Sequence, residues 1–340
     1  MRVLVALSGG VDSSVAAALL LEEGHEVVGA TMRLWGGESD TGCCSVADVD
    51  DARRVAQQLG IAHHVFGLSH DFEARVVAPY VADHAAGRTP NPCVECNRHL
   101  KFDRLLVRAR LLGFDAVATG HHARVVDGPG GPRLARGADR AKDQSYVLHV
   151  LDPAVLRLVR FPVGELTKAE VRARAAALGL RTAAKPDSQD VCFVTSTGGR
   201  RAFLRDRLAL HPGVVVDTGG RRVGTVAAVE LVTVGQRRGL GLPGGGPPRY
   251  VLDVDPATAT VTVGDAADLL VDRQPLAGLA WAGGAVEGEV LAQCSAHGDA
   301  VPATVDGDVL RWARPHRRVA PGQSVVLYDG DVVVGGAVAA

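Results

Sequence analysis

No apolar run in this 340-residue chain approaches the ~18 to 20 residues that a bilayer-spanning helix requires. Met1 to Val5 passes straight into a strand pattern, so neither a signal peptide nor a membrane anchor is expected. An excess of one charge is missing too: the formal net charge is -1, and the global field gives no sign of a nucleic-acid partner. Cysteine is sparse. Six thiols in a chain of this length, with no secretory signal, argue against a disulfide scaffold and for reduced cytoplasmic thiols serving as nucleophiles, ligands or core fillers. There is no internal repeat and no long low-complexity tract. The length exceeds what one hydrophobic core usually organises, so two or three domains are expected.

The N-terminal half alternates in type. Arg2 to Leu7 reads as a strand, Ser8 to Ser14 as a glycine loop, and the Ala/Leu segment to Glu23 as a helix stopped by Gly24. Glu26 to Met32 is a second strand, followed by helix over Asp48 to Leu59, strand over His63 to Phe66 and helix over Asp71 to Ala86. A helix over Arg98 to Leu112 and a strand over Asp115 to Thr119 continue the pattern. Thr167-Lys168-Ala169-Glu170 has the spacing of a capping box opening a helix that runs to Leu178. Strands alternating with helices predict an α/β fold, a doubly wound parallel sheet over 1–198. Beyond about Pro212, short Val/Thr-rich segments broken by Gly, Pro and Asp predict a small β-rich domain over 199–270 and a β-barrel over 271–340. Local charge shifts as well. Nine arginines between Arg200 and Arg249 face only Asp206, Asp217 and Glu230, which suits phosphate neutralisation or simply a solvated face.

The loop Ser8-Gly9-Gly10-Val11-Asp12-Ser13-Ser14 joins the first strand to the next helix. Unpaired backbone N–H groups and the helix dipole make that junction an anion site. Asp12 among phosphates points to a magnesium ion. The loop lacks both the Gly-x-x-x-x-Gly-Lys-Ser/Thr of a P-loop and the Gly-x-Gly-x-x-Gly of a dinucleotide fold. It resembles instead the PP-loop of the ATP pyrophosphatases, which cleave ATP to AMP and pyrophosphate while adenylating a carbonyl oxygen.

Two cysteine segments carry the remaining chemistry. Gly87-Arg88-Thr89-Pro90-Asn91-Pro92-Cys93-Val94-Glu95-Cys96-Asn97 leads into the helix expected near Arg98, where the dipole together with Arg98 and Lys101 favours a thiolate. Cys93-x-x-Cys96 alone also fits half of a zinc site or a redox pair, but no second Cys-x-x-Cys or His-x-His follows. Cys192, in Asp187-Ser188-Gln189-Asp190-Val191-Cys192-Phe193-Val194, falls on an apolar stretch read as a strand. There a buried core thiol and a functional one are equally good readings. Cys43-Cys44, in a polar loop, and His63-His64, opening a strand, read as packing features. His121-His122, directly after Gly120, read as functional.

SGGVDSS, GRTPNPCVECN, KFDRLL, ATGHHAR, KDQSYVL, FPVGELTKAEVR, DSQDVCFV, TVGQRRGLG and PGQSVVLYDG follow one another along essentially the whole chain. In order and spacing they resemble the tRNA-specific 2-thiouridylases, the MnmA/TrmU family. The resemblance implies ATP contacts at Ala6, Leu7, Ser8, Gly9, Gly10, Val11, Asp12, Ser13, Met32 and Gly120. It makes Cys96 the nucleophile and Cys192 the carrier of an incoming persulfide. Asn91, Pro92 and Cys93 would lie against the target base, and His121, Lys142, Asp143, Gln144 and Gln323 would touch tRNA. ATP, Mg2+, a tRNA anticodon stem-loop of the Lys, Glu or Gln type, and a cysteine desulfurase or sulfur-relay protein are the implied cofactors and partners, acting with a monomer. Cys93 stands where some members have aspartate, and Ser295-Ala296-His297 where some carry Arg-Tyr. A variant has Cys93, Cys96 and Cys192 ligating an iron-sulfur cluster. The rival readings are another PP-loop synthetase acting on a small molecule, and a non-catalytic RNA-binding or metal-binding protein on the same fold.

Overall fold

A computed structural model of the chain describes residues 1–34, 46–187, 191–195, 199–244 and 246–340, with the backbone alone for Cys192 and Thr195. Cys43 and Cys44 lie outside the described residues. In chain order the first elements are β1 (Arg2–Ala6), α1 (Val11–Glu22), β2 (Glu26–Arg33), α2 (Val46–Gln58), β3 (His63–Gly67) and α3 (Ser69–Phe72). A π-helical stretch (Glu73–Val77), α4 (Ala78–Ala85), α5 (Pro92–Cys96), a second π-helical stretch (Asn97–Arg104) and α6 (Leu105–Leu111) follow. Next come β4 (Ala116–Ala118), the hairpin β5 (Ala123–Gly128) and β6 (Gly131–Arg136), α7 (Ser145–Leu148), α8 (Pro153–Leu156), β7 (Val159–Arg160), α9 (Lys168–Ala177), α10 (Cys192–Thr195) and α11 (Arg200–Arg205). The chain divides into two compact units, one of Met1–Val77, Pro92–Thr197 and Asp331–Val333, the other of Ala78–Asn91, Gly198–Gly330 and Val334–Ala340. No helix among the described residues is long and apolar enough to cross a membrane.

In the first unit, five parallel strands form a sheet in the order β3-β2-β1-β4-β7. The Val and Leu side chains of β1 are fully buried because helices cover both faces, as the unbroken apolar run of Val3, Leu4 and Val5 requires. One cluster joins Val3, Val5 and Leu7 to Ala17 and Leu20 of α1 and Ala52 and Ala56 of α2; another joins Val11 and Val15 to Val171 and Ala175 of α9. The chain leaves β1 toward β2 and β3, then returns to place β4 on the other side of β1. The crevice at the carboxyl ends of β1 and β4 is therefore the topological switch point, where open α/β sheets bind ligands.

Two local features depart from the sequence reading. The helix expected from Arg98 begins at Pro92, with proline at the first helical position where its missing N–H costs nothing. Cys96 thus sits a full turn inside the helical run, with helical backbone angles, and Cys93 is the thiol nearest the N-terminus. Cys192, read as a strand residue, opens the four-residue helical turn α10. Val191 just before it takes φ +51°, and Phe193 is buried with its ring edge-on to Phe72, the centroids 5.4 Å apart. That ring pair anchors a turn more firmly than a two-residue apolar patch specifies a strand.

The second unit contains a mixed sheet of β8 (Gly213–Asp217), β9 (Arg222–Val226), β10 (Tyr250–Asp255) and β11 (Thr260–Gly264), in the order β10-β11-β8-β9. It also contains a closed barrel of β12 (Leu270–Trp281), β13 (Glu289–Gln293), β14 (Val301–Asp306), β15 (Val309–Arg317), β16 (Ser324–Asp329) and β17 (Val332–Ala339). The long β12 pairs with β15 along its first half and with β17 along its second, and the register shift after Ala277 closes the barrel. Leu310, Trp312, Val325 and Leu327 fill its core.

His84 of the second unit is 3% exposed, edge-on to Tyr80 at 4.6 Å between centroids. Burial, and then the nearby Arg200 guanidinium, lower its imidazole to about 4. The folded value lies below the unfolded value of about 6.5, so the stabilisation is complete above pH ~6.5 and is lost as the pH falls toward 4. The urea midpoint followed by Trp281 and Trp312 fluorescence is expected to fall across that window. His84→Gln is expected to flatten the dependence, by up to about 3 kcal/mol.

Candidate active site

The loop after β1 is shaped by contact, not only by composition. Gly9 takes φ +71°, and a Cβ there would stand 2.4 Å from the Asp48 carbonyl oxygen. Gly10 is the N-cap of α1 and supplies no side-chain cap, so the first amides of the helix are left for a ligand. The serines divide the work. Ser14 is 1% exposed and turns its hydroxyl to the Gly10 carbonyl at 2.7 Å. Ser13 Oγ accepts from the Ser8 amide at 3.2 Å and lies 3.3 Å from Ser8 Oγ, while Ser8 itself is exposed. Gly120, just past β4, closes the other wall: a Cβ on it would meet Ser13 N at 2.5 Å and the Asp12 carbonyl carbon at 2.6 Å. Met32, near the end of β2, is buried. Ala6, the loop and Gly120 thus meet at the switch point, with Met32 at the carboxyl end of the adjoining strand β2.

Asp12 is held by a cation that the sequence reading did not assign. Lys168 Nζ donates to both carboxylate oxygens at 2.7 and 2.8 Å, and His122 Nε2 donates at 3.2 Å. Burial works to raise the Asp12 carboxyl, and His122 and Lys168 outweigh it and hold it below its ordinary range. Lys168 is the first residue of α9. The expected capping box is present there: Thr167 accepts from the Glu170 amide while Glu170 accepts from the Thr167 amide. Asp139 accepts from the Lys168 amide at 2.9 Å. The same Lys168 Nζ reaches Asp187 at 2.9 Å, and Asp187 also accepts from Lys142 Nζ at 2.9 Å and Arg172 Nη2 at 2.7 Å. Burial works to raise the Asp187 carboxyl, and Lys142 and Lys168 outweigh it and hold it well below the ordinary carboxylate range. The signal for Lys168 lay in the TKAE segment, where the capping box fixes the direction of the first helical residue.

The other expected contacts fall in different settings. His121 is 8% exposed, its Nδ1 2.7 Å from Thr119 Oγ1 and its Nε2 3.4 Å from Lys101 Nζ. Burial, then Lys101 and His122, lower its basicity well below the ordinary value and keep the ring neutral. Asp143 has a nearly buried carboxylate that pairs with Arg136 and accepts from Gly137 N, Ser145 N and Ser145 Oγ. Gln144 Oε1 accepts from the His122 amide at 2.9 Å. Of the three consecutive residues, Lys142 is the one that presents charge to solvent, its side chain 43% exposed. Cys93 and Cys96 are partly exposed and stand three residues apart, hence on one helix face. Asn97 is 2% exposed and donates to the Val147 carbonyl at 3.0 Å. In the second unit, Gln323 Nε2 donates to the Thr89 carbonyl at 2.8 Å, and the Thr89 amide donates to the Pro321 carbonyl at 2.7 Å; Asn91 follows two residues later. The Cys192 thiol lies outside the described side chains.

Three domain families match in succession: a tRNA methyl transferase HUP domain over residues 1–196, a tRNA methyl transferase PRC-barrel domain over 201–265, and an aminomethyltransferase beta-barrel domain over 289–339. A tRNA-specific 2-thiouridylase MnmA from Beutenbergia cavernae is 50% identical, with 100% of this chain and 95% of that protein covered. The chain belongs to the MnmA family. MnmA proteins of Acidothermus cellulolyticus, 48% identical over 99% of this chain and 97% of the relative, and of Chloroflexus aurantiacus, 49% identical over 98% and 97%, are similar along the same full length. The expected architecture of parallel-sheet domain, small β-rich domain and β-barrel is that of the three matched families and of the described strands. As an MnmA member, the chain carries the ATP-using PP-loop at the carboxyl end of β1.

Proposed function

We propose that this protein is a cytoplasmic tRNA-uridine 2-sulfurtransferase that converts the wobble uridine of tRNAs of the Lys, Glu or Gln type to 2-thiouridine. The observation that carries the reading is the junction of Ser8 to Ser13 with Gly120, an uncapped helix N-terminus built at close contact beside Asp12, in a chain whose full-length relatives are named 2-thiouridylases. The triphosphate binds on this loop, and the uridine C2 oxygen attacks the α-phosphorus. Pyrophosphate leaves and the base is adenylated. AMP is a far better leaving group than an oxide, so C2 becomes open to sulfur. The terminal sulfur of a Cys192 persulfide, loaded by a cysteine desulfurase or a relay protein, attacks C2 and displaces AMP. The Cys96 thiolate then attacks the Cys192 sulfur, the electron pair of the broken S–S bond forms the thiocarbonyl, and a Cys96–Cys192 disulfide remains for a reductant.

Among the described residues no group of three or more His, Cys, Asp or Glu is placed to hold a metal ion. Asp12 fits a Mg2+ that arrives on the phosphates, since such ions use one or two protein carboxylates and keep their waters. Bound there, the ion would neutralise charge on the departing pyrophosphate. Lys168 supplies positive charge to the same place from the protein. For tRNA we assign Asn91, Pro92 and Cys93 to the target base and Lys142 and Gln323 to separate contacts, with His121, Asp143 and Gln144 acting by shaping the turn. The domains serving these steps are 1–198 for catalysis, 199–270 as a link and 271–340 as a barrel, in a monomer.

The names of the matched domains refer to methyl transfer, whereas the phosphate loop and the paired cysteines fit activation and sulfur chemistry. Incubation of the protein with tRNA, ATP, Mg2+ and a persulfide donor, followed by mass spectrometry of the nucleosides, is expected to yield 2-thiouridine with AMP and pyrophosphate in equal amounts. Appearance of ADP, or a methylated nucleoside in place of the thiolated one, would overturn the assignment. Iron and labile sulfide in anaerobically purified protein, lost in Cys93→Ala, would instead favour the cluster route.

A further inference from the structure

The Lys168 ammonium fills a cage of carboxylate oxygens. Its Nζ lies 2.7 and 2.8 Å from the two oxygens of Asp12 and 2.9 Å from Asp187 Oδ1, three acceptors for the three N–H bonds that an ammonium carries. The Lys168 side chain is 12% exposed and that of Asp12 29%. The buried His122 ring closes a further side, its Nε2 3.2 Å from Asp12 Oδ1. Both oxygens of the carboxylate that fits Mg2+ are thus engaged by the chain's own groups.

The fold imposes this placement. Lys168 opens α9, where Asp139 holds its amide at 2.9 Å and the Thr167–Glu170 capping box fixes the turn. Val171 and Ala175 of α9 pack against Val11 and Val15 of α1, the helix that begins at the phosphate loop. The lysine stem therefore starts from a fixed point beside Asp12. A free divalent ion approaching Asp12 meets a positive charge 2.7 Å from the oxygen it needs, in a partly buried setting where water and salt screen the repulsion weakly. A triphosphate changes the balance in two ways. It carries the ion on its own phosphate oxygens, so that one protein carboxylate suffices. It also offers the ammonium new anionic acceptors at the same loop, while the Asp187 contact keeps Nζ near.

We propose that Lys168 is the positioning residue that couples metal entry to nucleotide entry: its ammonium is the resident counter-ion of Asp12, so the carboxylate takes a divalent cation as a triphosphate complex and not as the free ion. The inference rests on the ATP use of the function proposed above. Asp12 then needs no metal to be satisfied between turnovers. The lysine charge is conserved in the exchange, passing from Asp12 to the phosphates as the ion takes its place.

The test titrates the full chain with Mn2+ and no nucleotide, reading the loss of the free-ion signal by electron paramagnetic resonance. Lys168→Met and Lys168→Gln should each bind Mn2+ at least about tenfold more tightly than wild type. Lys168→Arg, which keeps the charge, should stay within about threefold of wild type. The gain should vanish when Asp12→Asn is added to Lys168→Met. Far-UV circular dichroism checks that each variant is folded, and the two uncharged replacements give two independent chances of a folded one. In wild type, calorimetry should show the affinity for α,β-methylene-ATP rising at least about tenfold when Mg2+ is added. Equal Mn2+ affinity in wild type and the uncharged variants would overturn the proposal. So would a gain that survives Asp12→Asn, which would put the ion elsewhere, or a nucleotide affinity in wild type that ignores Mg2+. These titrations use neither tRNA nor a sulfur donor, so a failure to form 2-thiouridine would sink the function assignment separately.

Discussion

Cys96→Ser and Cys192→Ser are each expected to lower 2-thiouridine formation by on the order of a thousandfold while tRNA binding stays within about twofold of wild type. The two variants should fail at different steps. Without Cys192 there is no carrier for the persulfide sulfur, so pyrophosphate is still released and adenylated tRNA is the species left over. Without Cys96 the sulfur reaches C2 but stays joined to Cys192, because a serine hydroxyl does not ionise near neutral pH and cannot attack the S–S bond. That variant should trap a covalent tRNA–protein adduct that dithiothreitol releases, visible as a shifted band in a non-reducing denaturing gel. Cys93→Ala separates the routes: the persulfide path keeps most activity, whereas a cluster held by Cys93, Cys96 and Cys192 would lose it.

Gly120→Ala is expected to reduce kcat/KM for ATP by at least about a hundredfold, equivalent to about 3 kcal/mol of transition-state stabilisation. The added methyl would lie 2.5 Å from Ser13 N and 2.6 Å from the Asp12 carbonyl carbon. Both are backbone atoms of the first turn of α1, so relief requires moving the phosphate loop itself. Asp12 would move with it and lose its fit to Lys168 and His122. Gly24→Ala provides the control. Gly24 takes φ +79°, with nothing within 4 Å of its added Cβ, so alanine there strains the backbone by roughly 1 kcal/mol without touching the loop. Steady-state kinetics with ATP varied, alongside urea unfolding of both variants, separate the local effect from the global one.

Much of this arrangement is legible in the residues. Apolar runs such as Val3 to Val5, and helices stopped by glycines that take left-handed angles, as at Gly24 and Gly113, are local signals, and the parallel sheet follows from their alternation. SGGVDSS is legible for the same reason: strand, loop and helix dipole are consecutive in sequence. The charge partner of Asp12 is not, because Lys168 lies 156 residues away and is brought back by the packing of α9 on α1, which leaves no mark on the loop. The cysteine helix starts at Pro92, six residues before the expected Arg98, for a different reason. Pro90 and Pro92 read as a rigid loop, whereas Pro92 at a first helical position begins a helix as readily as it ends a loop. That shift moves the favourable end of the dipole from Cys96 toward Cys93 and leaves Arg98 and Lys101 as the positive charges nearest Cys96 in sequence. The interior setting of His121 and Asp143 was equally hidden, since neither burial nor satisfied hydrogen bonds can be read from residue type.

The most direct measurement is mass spectrometry of non-reduced peptides after a single turnover with persulfide-loaded protein, ATP and tRNA. The mechanism predicts a peptide pair joined through Cys96 and Cys192, accumulating one for one with 2-thiouridine and absent when ATP is withheld. Full 2-thiouridine yield with both thiols still free would contradict it.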